Sequence, residues 1–211
     1  MKKALLLVSI LSISVFSTAC INNFAVQELN NKAKAYMEQG DYQGAIERLK
    51  SSIDLDDSVF ESHYNLAVAY TNAEDYVNAI SAFKKAIELK PDFADGYYSL
   101  AVAEESLVTA INADEVEVNA DGQFVKPAQE DELEPVAAEE ENISDVKTLS
   151  PAAQNAVNEL LTDAVANYNK YLETAENPQD VEDVNSKVKA LEFKLSGQPA
   201  DAAPVQEEQQ Q

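Results

Sequence analysis

The chain contains one cysteine, Cys20, and one histidine, His63, among its 211 residues. A metal cluster of His and Cys ligands needs several such side chains, and a Ser-His-Asp triad needs a histidine placed for proton transfer. Cys20 stands at the end of an apolar N-terminal segment, which leaves His63 alone for chemistry of this kind. We expect His63 to be a contact residue between helices rather than a base or a metal ligand.

Carboxylates are abundant, with 38 Asp and Glu residues, but those with close acidic neighbours stand in solvated runs. A glycosidase needs two carboxyl groups whose environments drive their pKa values apart, and solvated runs do not provide this. The segment NADGQ, residues 119–123, lacks the closing Glu that a calcium loop requires. No glycine-rich phosphate loop is present. The sequence therefore predicts no catalytic residue, no metal site and no cofactor, hence a protein that is not an enzyme.

The composition limits the fold and the partners. The formal net charge is −23, with 15 basic against 38 acidic residues. Phosphate contacts need a basic face that this chain cannot assemble, which argues against nucleic acid as a partner. Hydrophobic residues make up 45% of the chain and only five are Gly, which favours a core of long helices over a turn-rich β fold.

The first twenty residues, MKKALLLVSILSISVFSTAC, have the three parts of a signal peptide. Lys2 and Lys3 form a basic start, and the apolar run over residues 4–16 is too short to span a bilayer. Small residues at 17–19 then precede Cys20. We therefore predict a signal peptide over residues 1–19 that is removed from the mature chain.

A cysteine directly after Ala19 resembles the lipobox of bacterial lipoproteins. The resemblance implies lipidation of Cys20, which would anchor the domain in the cell envelope through acyl chains without a spanning helix. The residue after the cysteine is Ile21 and not Asp. By the sorting pattern of enterobacterial lipoproteins, this implies delivery to the outer membrane, facing the periplasm. In a Gram-positive cell the same signal implies the outer face of the plasma membrane. The alternative is an ordinary secretory signal with an incidental cysteine.

Two segments align without gaps at an offset of 34 residues: QGDYQGAIERLKSSIDLDDS from Gln39 and AEDYVNAISAFKKAIELKPD from Ala73. Each unit predicts two amphipathic helices around a short turn, because apolar residues recur at helical spacing. Small alanines allow the helices to approach closely, while Tyr and Phe fill the space between neighbouring pairs. Pro91 and Asp92 end the second unit and begin the next helix.

The period, the small-residue positions and the segment KAIELKPD resemble the tetratricopeptide repeat. The resemblance implies an all-α fold, a short helix-turn-helix solenoid of about three repeats with a C-terminal cap helix. The stretch from Gly96 to Asn112 resembles the first helix of a third repeat, and residues 158–180 resemble its second helix. Residues 181–195, with Val and Leu on one face and Lys on the other, are the predicted cap helix. The alternative for residues 158–180 is an unrelated amphipathic helix.

These assignments divide the chain. Repeats one and two and the first helix of repeat three occupy residues 20–112, and the rest of repeat three and the cap helix occupy residues 151–196. Between them, residues 113–150 form an acidic insertion expected to be mostly disordered, with a small hairpin predicted at residues 116–125. The insertion is either an electrostatic bait for a basic partner or a tolerated solvated loop. The low-complexity tail, residues 197–211, is expected to be disordered.

The tetratricopeptide resemblance also implies a concave groove, lined mainly by the first helix of each repeat, that binds peptides or partner helices. Its mixed polar and aromatic surface would let Asn bond to an extended backbone and Tyr stack on it. The basic carboxylate clamp of chaperone-binding relatives is absent, since Asp95 and Ser99 stand where it needs cations. The groove residues carried over by position are Asn30, Lys34, Met37, Tyr64, Asn65, Val68, Thr71, Asn72, Tyr98, Val102 and Glu105.

The resemblance thus implies a non-enzymatic adaptor or scaffold, lipid-anchored in the bacterial envelope, that binds a protein or peptide partner in its groove. The alternative is a structural lipoprotein subunit of a secretion, pilus or outer-membrane assembly machine. Such a subunit would be held through the convex face and the cap helix instead of the groove.

Overall fold

Five helices precede the acidic insertion. The computed structural model describes residues 23–126, 149–176, 178 and 180–197. Within them, α1 covers residues 23–38, and the next four helices are α2 at Tyr42–Leu55, α3 at Phe60–Asn72, α4 at Tyr76–Leu89 and α5 at Ala94–Asn112. After the insertion come α6 at Pro151–Thr174 and α7 at Val181–Leu195.

In the first two repeats, the second helix begins at a side-chain cap. Asp41 accepts a hydrogen bond from the Gly44 N–H at 2.8 Å before α2, and Asp75 accepts one from the Asn78 N–H at 3.4 Å before α4. These carboxylates satisfy amide groups that have no partner within the first helical turn. Each cap follows a tight turn between the paired helices.

Alanines at equivalent repeat positions set the distance between the helices. The first and second helices of the three repeats each contribute alanines with no exposed surface: Ala33, Ala67, Ala101, Ala45, Ala79 and Ala164. A side chain that ends at Cβ lets two helices approach closely, so that the ridges of one fit the grooves of the other. Leu49, Phe83 and Tyr168 fill the space around them and are at most 2% exposed.

The helices stack in chain order. α2 packs on α3, α3 on α4, α4 on α5, α5 on α6 and α6 on α7. Burial therefore runs from one repeat to the next, as in a solenoid whose units stabilise their neighbours. The all-α helix-pair fold predicted from the sequence is confirmed.

The third pair is longer than the second. α5 has 19 residues and α6 has 24, against 13 in α3 and 14 in α4. A hairpin of β1, Glu117–Val118, and β2, Phe124–Val125, follows α5, with Glu117 opposite Val125. Its apolar side chains Val116, Val118 and Phe124 are half-buried against the core. An isolated hairpin of this size is marginal, so its packing on the long pair accounts for its presence.

The cap helix α7 covers the end of the repeat stack. Val184, Val188 and Leu191 are buried, in the face that the sequence pattern assigns to the core. Lys189 and Lys194 are exposed, whereas Lys187 is half-buried. The polar face of α7 is therefore partly in contact with the solenoid, which the sequence pattern does not predict.

Some predictions concern residues outside the described ranges. They are the signal peptide, the lipidated Cys20, residues 127–148 of the acidic insertion and residues 198–211 of the tail. Within the described ranges, no helix is long and apolar enough to cross a membrane.

Candidate functional site

The predicted groove residues lie on α1, α3 and α5, the first helices of the three pairs, and none of them is buried. Asn30, Lys34 and Met37 come from α1, and Tyr98, Val102 and Glu105 from α5. The five on α3 are Tyr64, Asn65, Val68, Thr71 and Asn72. Binding of a partner at this surface is a prediction from the sequence.

Asn30 and Asn65 are joined across α1 and α3 by a hydrogen bond network. The Asn65 Nδ2 donates to the Asn30 Oδ1 at 3.0 Å. The Asn30 Nδ2 lies within donating distance of the Ser52 Oγ at 2.9 Å and the Ser62 Oγ at 2.8 Å. Both serines are fully buried and their hydroxyl oxygens are 3.0 Å apart. The network fixes the Asn30 amide in one orientation, and Asn30 in turn orients Asn65.

A cleft of about 580 Å³ opens beside this network, and we call it the amide cleft. Its polar lining is rich in amide side chains, namely Asn23, Gln27, Asn30, Asn31 and Asn65, with Ser58 and Glu61 at the α3 end. Its apolar lining comes from Val26, Val59 and Phe60. A primary amide both donates and accepts hydrogen bonds, as a peptide backbone does. In the described part of the chain the Asn65 Oδ1 accepts no hydrogen bond, so it remains able to accept one.

Tyr64 is held by other aromatic rings rather than standing free on the groove. Its ring centroid lies 4.9 Å from that of Phe93 and 5.6 Å from that of Phe83. Its hydroxyl is 3.3 Å from the Ser99 Oγ on α5. Edge-to-face pairs of this kind stabilise the contact between repeats. Tyr64 therefore has a structural role whether or not it touches a partner.

The groove positions of the third repeat are covered in a similar way. The Tyr98 ring lies 5.6 Å from Tyr168 and 5.3 Å from Tyr171, both on α6. The Tyr168 hydroxyl donates to the Glu105 carboxylate, and the Lys187 Nζ of α7 lies 3.7 Å from the same carboxylate. Tyr98 and Glu105 are therefore engaged by contacts within the chain.

Two tyrosines of α6 titrate above their ordinary range. Burial of Tyr168, together with its hydrogen bond to Glu105, raises the pKa of its hydroxyl. The hydrogen bond from the Tyr171 hydroxyl to Asp180, at 2.7 Å, raises the pKa of Tyr171 to about 12. Both hydroxyls stay protonated at neutral pH and act as donors that hold α5, α6 and α7 together.

His63 is 8% exposed on α3. Its Nε2 lies 2.9 Å from the backbone oxygen of Asp57, so the ring bridges the start of α3 and the turn before it. The sequence predicts a contact between helices, whereas this hydrogen bond is to the turn that precedes α3. Within the described ranges, no three His, Cys, Asp or Glu side chains are grouped as metal ligands.

Glu104 is a buried carboxylate that the sequence analysis missed. It has no exposed surface, and burial raises the pKa of Glu104 to about 7. The Asn167 Nδ2 donates to its Oε2 at 2.9 Å, and the Lys84 Nζ is 4.0 Å from its Oε1. A signal was available, because the 34-residue offset places Glu104 where the earlier repeats carry Tyr36 and Tyr70.

The comparisons with known proteins agree with the architecture. Residues 30–94 match the tetratricopeptide repeat family. No curated protein matches the chain. Among solved structures, the chain is similar to the first tetratricopeptide domain of human RPAP3, at 16% identity and a TM-score of 0.53. That match covers 82% of this chain and 97% of that chain.

Two further structures contain peptides. The chain is similar to the first tetratricopeptide domain of Spaghetti (RPAP3) bound to an HSP90 peptide, at 16% identity and a TM-score of 0.52, covering 81% and 93% of the two chains. It is similar at 12% identity to the second such domain of human RPAP3 in complex with an HSP70 peptide. There the TM-score is 0.52 and the coverage is 81% and 98%. At these identities the likeness concerns the fold, which is a tetratricopeptide-type helical solenoid.

Proposed function

We propose that this chain is a non-enzymatic adaptor that binds an extended segment of a partner protein in its groove. The observation that carries the proposal is the amide cleft between α1 and α3. Its Asn30 and Asn65 amides are already oriented by the buried serines, so little side-chain freedom is lost when a ligand binds. Val59 and Phe60 offer apolar contacts beside them. Backbone hydrogen bonds and one or two apolar side chains are what an extended peptide can supply.

The peptide complexes of similar fold support binding of a peptide as the use of this architecture. We propose that the groove does not bind its partner as a cationic clamp does, by the carboxylate at the end of the partner's chain. Asp95 on α5 is exposed and acidic, and the Ser99 hydroxyl faces Tyr64. Lys34 is the one cation among the predicted groove residues. A free C-terminal carboxylate would therefore find little compensating charge, which favours an internal segment of the partner as ligand.

The place of action is a second part of the proposal. Cys20 lies three residues before Asn23, where the described part of α1 begins. Acyl chains on Cys20 would hold α1, and with it the amide cleft, close to a bacterial envelope membrane. From Ile21 we propose the outer membrane, with the solenoid facing the periplasm.

Site-specific photo-crosslinking in cells tests the groove. A photo-reactive residue at Val68, half-buried on α3, is expected to crosslink to a partner, whereas the same residue at exposed Asn169 on α6 is not. Asn65→Ala should weaken the Val68 crosslink severalfold, and Asn169→Ala should leave it unchanged. Equal crosslinking from both sites would contradict the groove as the binding surface.

The anchor is tested separately. Cys20→Ser should abolish metabolic labelling with palmitate and release the protein from the membrane fraction. Labelling that survives the substitution would rule out Cys20 as the lipidated residue. The crosslinking result does not depend on this outcome, so the adaptor role and the anchor can fail independently.

A further inference from the structure

A second cleft lies on the other face of α3, and we call it the α2–α4 cleft. It has a volume of about 530 Å³ and contains residues of three helices: Lys50, Ile53 and Asp54 from α2, His63, Leu66 and Tyr70 from α3, and Asn78, Ser81, Ala82 and Lys85 from α4. His63, Leu66 and Tyr70 recur at i, i+3 and i+7, which is one face of a helix. Asn65 points about half a turn away, so this cleft is separate from the amide cleft.

Basic residues outnumber acidic ones in the α2–α4 cleft, whereas the chain as a whole is acidic. Lys50 and Lys85 line it with Asp54 as the one acid, although acids outnumber bases 38 to 15 in the sequence. Lys50 is exposed, and its Nζ lies 5.6 Å from the Tyr70 ring centroid. The Lys85 Nζ is 3.0 Å from the Glu88 carboxylate, with side-chain exposures of 41% and 69%. A pair this exposed contributes little, so Lys85 is free to exchange its partner.

One repeat later, where α4, α5 and α6 meet, a carboxylate of this chain lies at the corresponding place; we call this contact the junction. At the 34-residue offset Lys84 corresponds to Lys50 and Glu104 to Tyr70, and in the alignment of α6 with α4 Asn167 corresponds to Ala82. There the Glu104 carboxylate lies buried between Lys84, at 4.0 Å, and Asn167, at 2.9 Å. The fold therefore accommodates a carboxylate beside this lysine. In the α2–α4 cleft α3 supplies Tyr70 instead, and within the described ranges Asp54 pairs with neither lysine, so a carboxylate from another molecule can take this place.

We propose that the α2–α4 cleft binds an acidic segment of a partner protein. One carboxylate lies between Lys50 and Lys85, and a neighbouring apolar side chain packs on Ile53, Leu66 and Ala82. These three apolar residues favour a peptide over a simple anion, because a free phosphate gains nothing from apolar contact. The surface adds a second point of contact to the groove and does not depend on what the groove binds.

A titration followed by amide chemical shifts tests this proposal. The probe is the blocked tripeptide acetyl-Glu-Leu-Glu-amide, added to the ¹⁵N-labelled full chain. Shifts confined to α2, α3 and α4 are expected, with an apparent Kd that rises about fivefold or more in the Lys50→Gln/Lys85→Gln variant. Lys170→Gln is the matched control. Lys170 makes the same i, i+3 pair, with Glu173 at 3.1 Å, at the junction that Glu104 already occupies.

The remaining outcomes overturn the proposal. Shifts scattered over the surface, or shifts that survive in the double variant, would show that the two lysines form no site. Equal shifts from inorganic phosphate at the same concentration would make the cleft a general anion site. Binding that appears only after residues 127–148 are deleted would identify the acidic segment of this chain itself as the occupant.

Discussion

Asn167 on α6 donates a hydrogen bond from its Nδ2 to the Oε2 of Glu104 on α5 at 2.9 Å, and Glu104 has no exposed surface. The other oxygen, Oε1, accepts no hydrogen bond within the described part of the chain. Lys84 approaches it to 4.0 Å but also pairs with Asp163 at 3.4 Å. Since one hydrogen bond and a shared cation do not replace full hydration, the junction favours the protonated form of Glu104.

The first prediction follows from this junction. Burial raises the pKa of Glu104 from 4.5 to about 7 in the folded state, so the folded chain holds this proton more tightly than the unfolded chain. The stabilising contribution is complete below about pH 4.5 and is lost as pH rises through about 7. The loss amounts to about 3 kcal/mol, because each pKa unit is worth about 1.4 kcal/mol.

Glu104→Gln should remove this dependence, because the amide is neutral at every pH. We expect the variant to equal the parent near pH 4 and to exceed its free energy of unfolding near pH 8. Urea unfolding across this range measures the difference. Glu88→Gln, an exposed site on α4, is the control for the loss of one charge from an acidic chain. A difference between the Glu104→Gln variant and the parent that does not change with pH would contradict the assignment.

The helix pairs could be predicted from the sequence because their cause is local. Ala67 and Ala101 stand 34 residues apart, and both are fully buried in the first helices of their pairs. The spacing of such small residues therefore indicates where the helices are in contact. Even the interrupted third pair could be recognised, because Ala164 and Tyr168 keep the spacing of Ala79 and Phe83. The length of α6 could not, since its first residues contact the hairpin, which is a contact that the repeat period does not contain.

The second prediction concerns Glu74 in the turn before α4. Its φ is 59°, the left-handed region, and the equivalent position of the first repeat is Gly40 with a φ of 76°. A side chain there costs about 1–2 kcal/mol. Glu74→Gly relieves this cost but gives the unfolded chain more freedom, worth about 0.5–1 kcal/mol. Relief is the larger effect, so the variant should be more stable by up to about 1 kcal/mol in urea unfolding.

Gly40→Ala is the matched control for Glu74→Gly. A Cβ at Gly40 would meet nothing within 4 Å, so the substitution tests the backbone alone. It should destabilise the protein, opposite in sign to Glu74→Gly. If both substitutions shift the unfolding midpoint in the same direction, backbone strain is not the cause.

The groove residues were harder to predict than the fold. Tyr64 and Tyr98 occupy the positions that the repeat resemblance assigns to partner binding, yet their rings contact Phe93, Tyr168 and Tyr171. Those contacts join segments distant in sequence, which periodicity does not reveal. Loss of partner binding after Tyr98→Ala would therefore not separate binding from folding, whereas Asn65 lies at a cleft and can be changed with less damage.

The third prediction concerns Gly96 at the start of α5. A Cβ there would lie 2.7 Å from the Ile87 Cγ2 and 2.8 Å from the Phe93 Cδ1. Such overlap costs about 1–3 kcal/mol, which exceeds the gain of about 1 kcal/mol that alanine brings to a helix. Gly96→Ala should therefore lower the free energy of unfolding. In combination with Ile87→Ala the loss should be less than the sum of the two single losses, because the overlap with Ile87 is removed while that with Phe93 remains. Additive losses would place the cost elsewhere.

The last prediction concerns the point at which the third repeat resumes after the acidic insertion. The Ser150 Oγ accepts a hydrogen bond from the Ala153 N–H at 3.1 Å, and Pro151 opens the first turn of α6. Ala153 also lines the cavity of about 180 Å³ between α6 and the hairpin. Ser150→Ala should cost about 1 kcal/mol at this end of the helix. Amide hydrogen exchange should accelerate in the first turns of α6 and in the hairpin, while α2 and α3 keep their protection.

Ser150→Asp is the control for this cap, because its carboxylate accepts the same hydrogen bond and suits the positive end of the helix. It should restore slow exchange at Ala153. Unchanged protection in Ser150→Ala would mean that packing of Val157 and Leu161, both buried, fixes the start of α6 without the cap. Acceleration that spreads to α2 and α3 would mean instead that the long third pair and the first two repeats unfold as one unit.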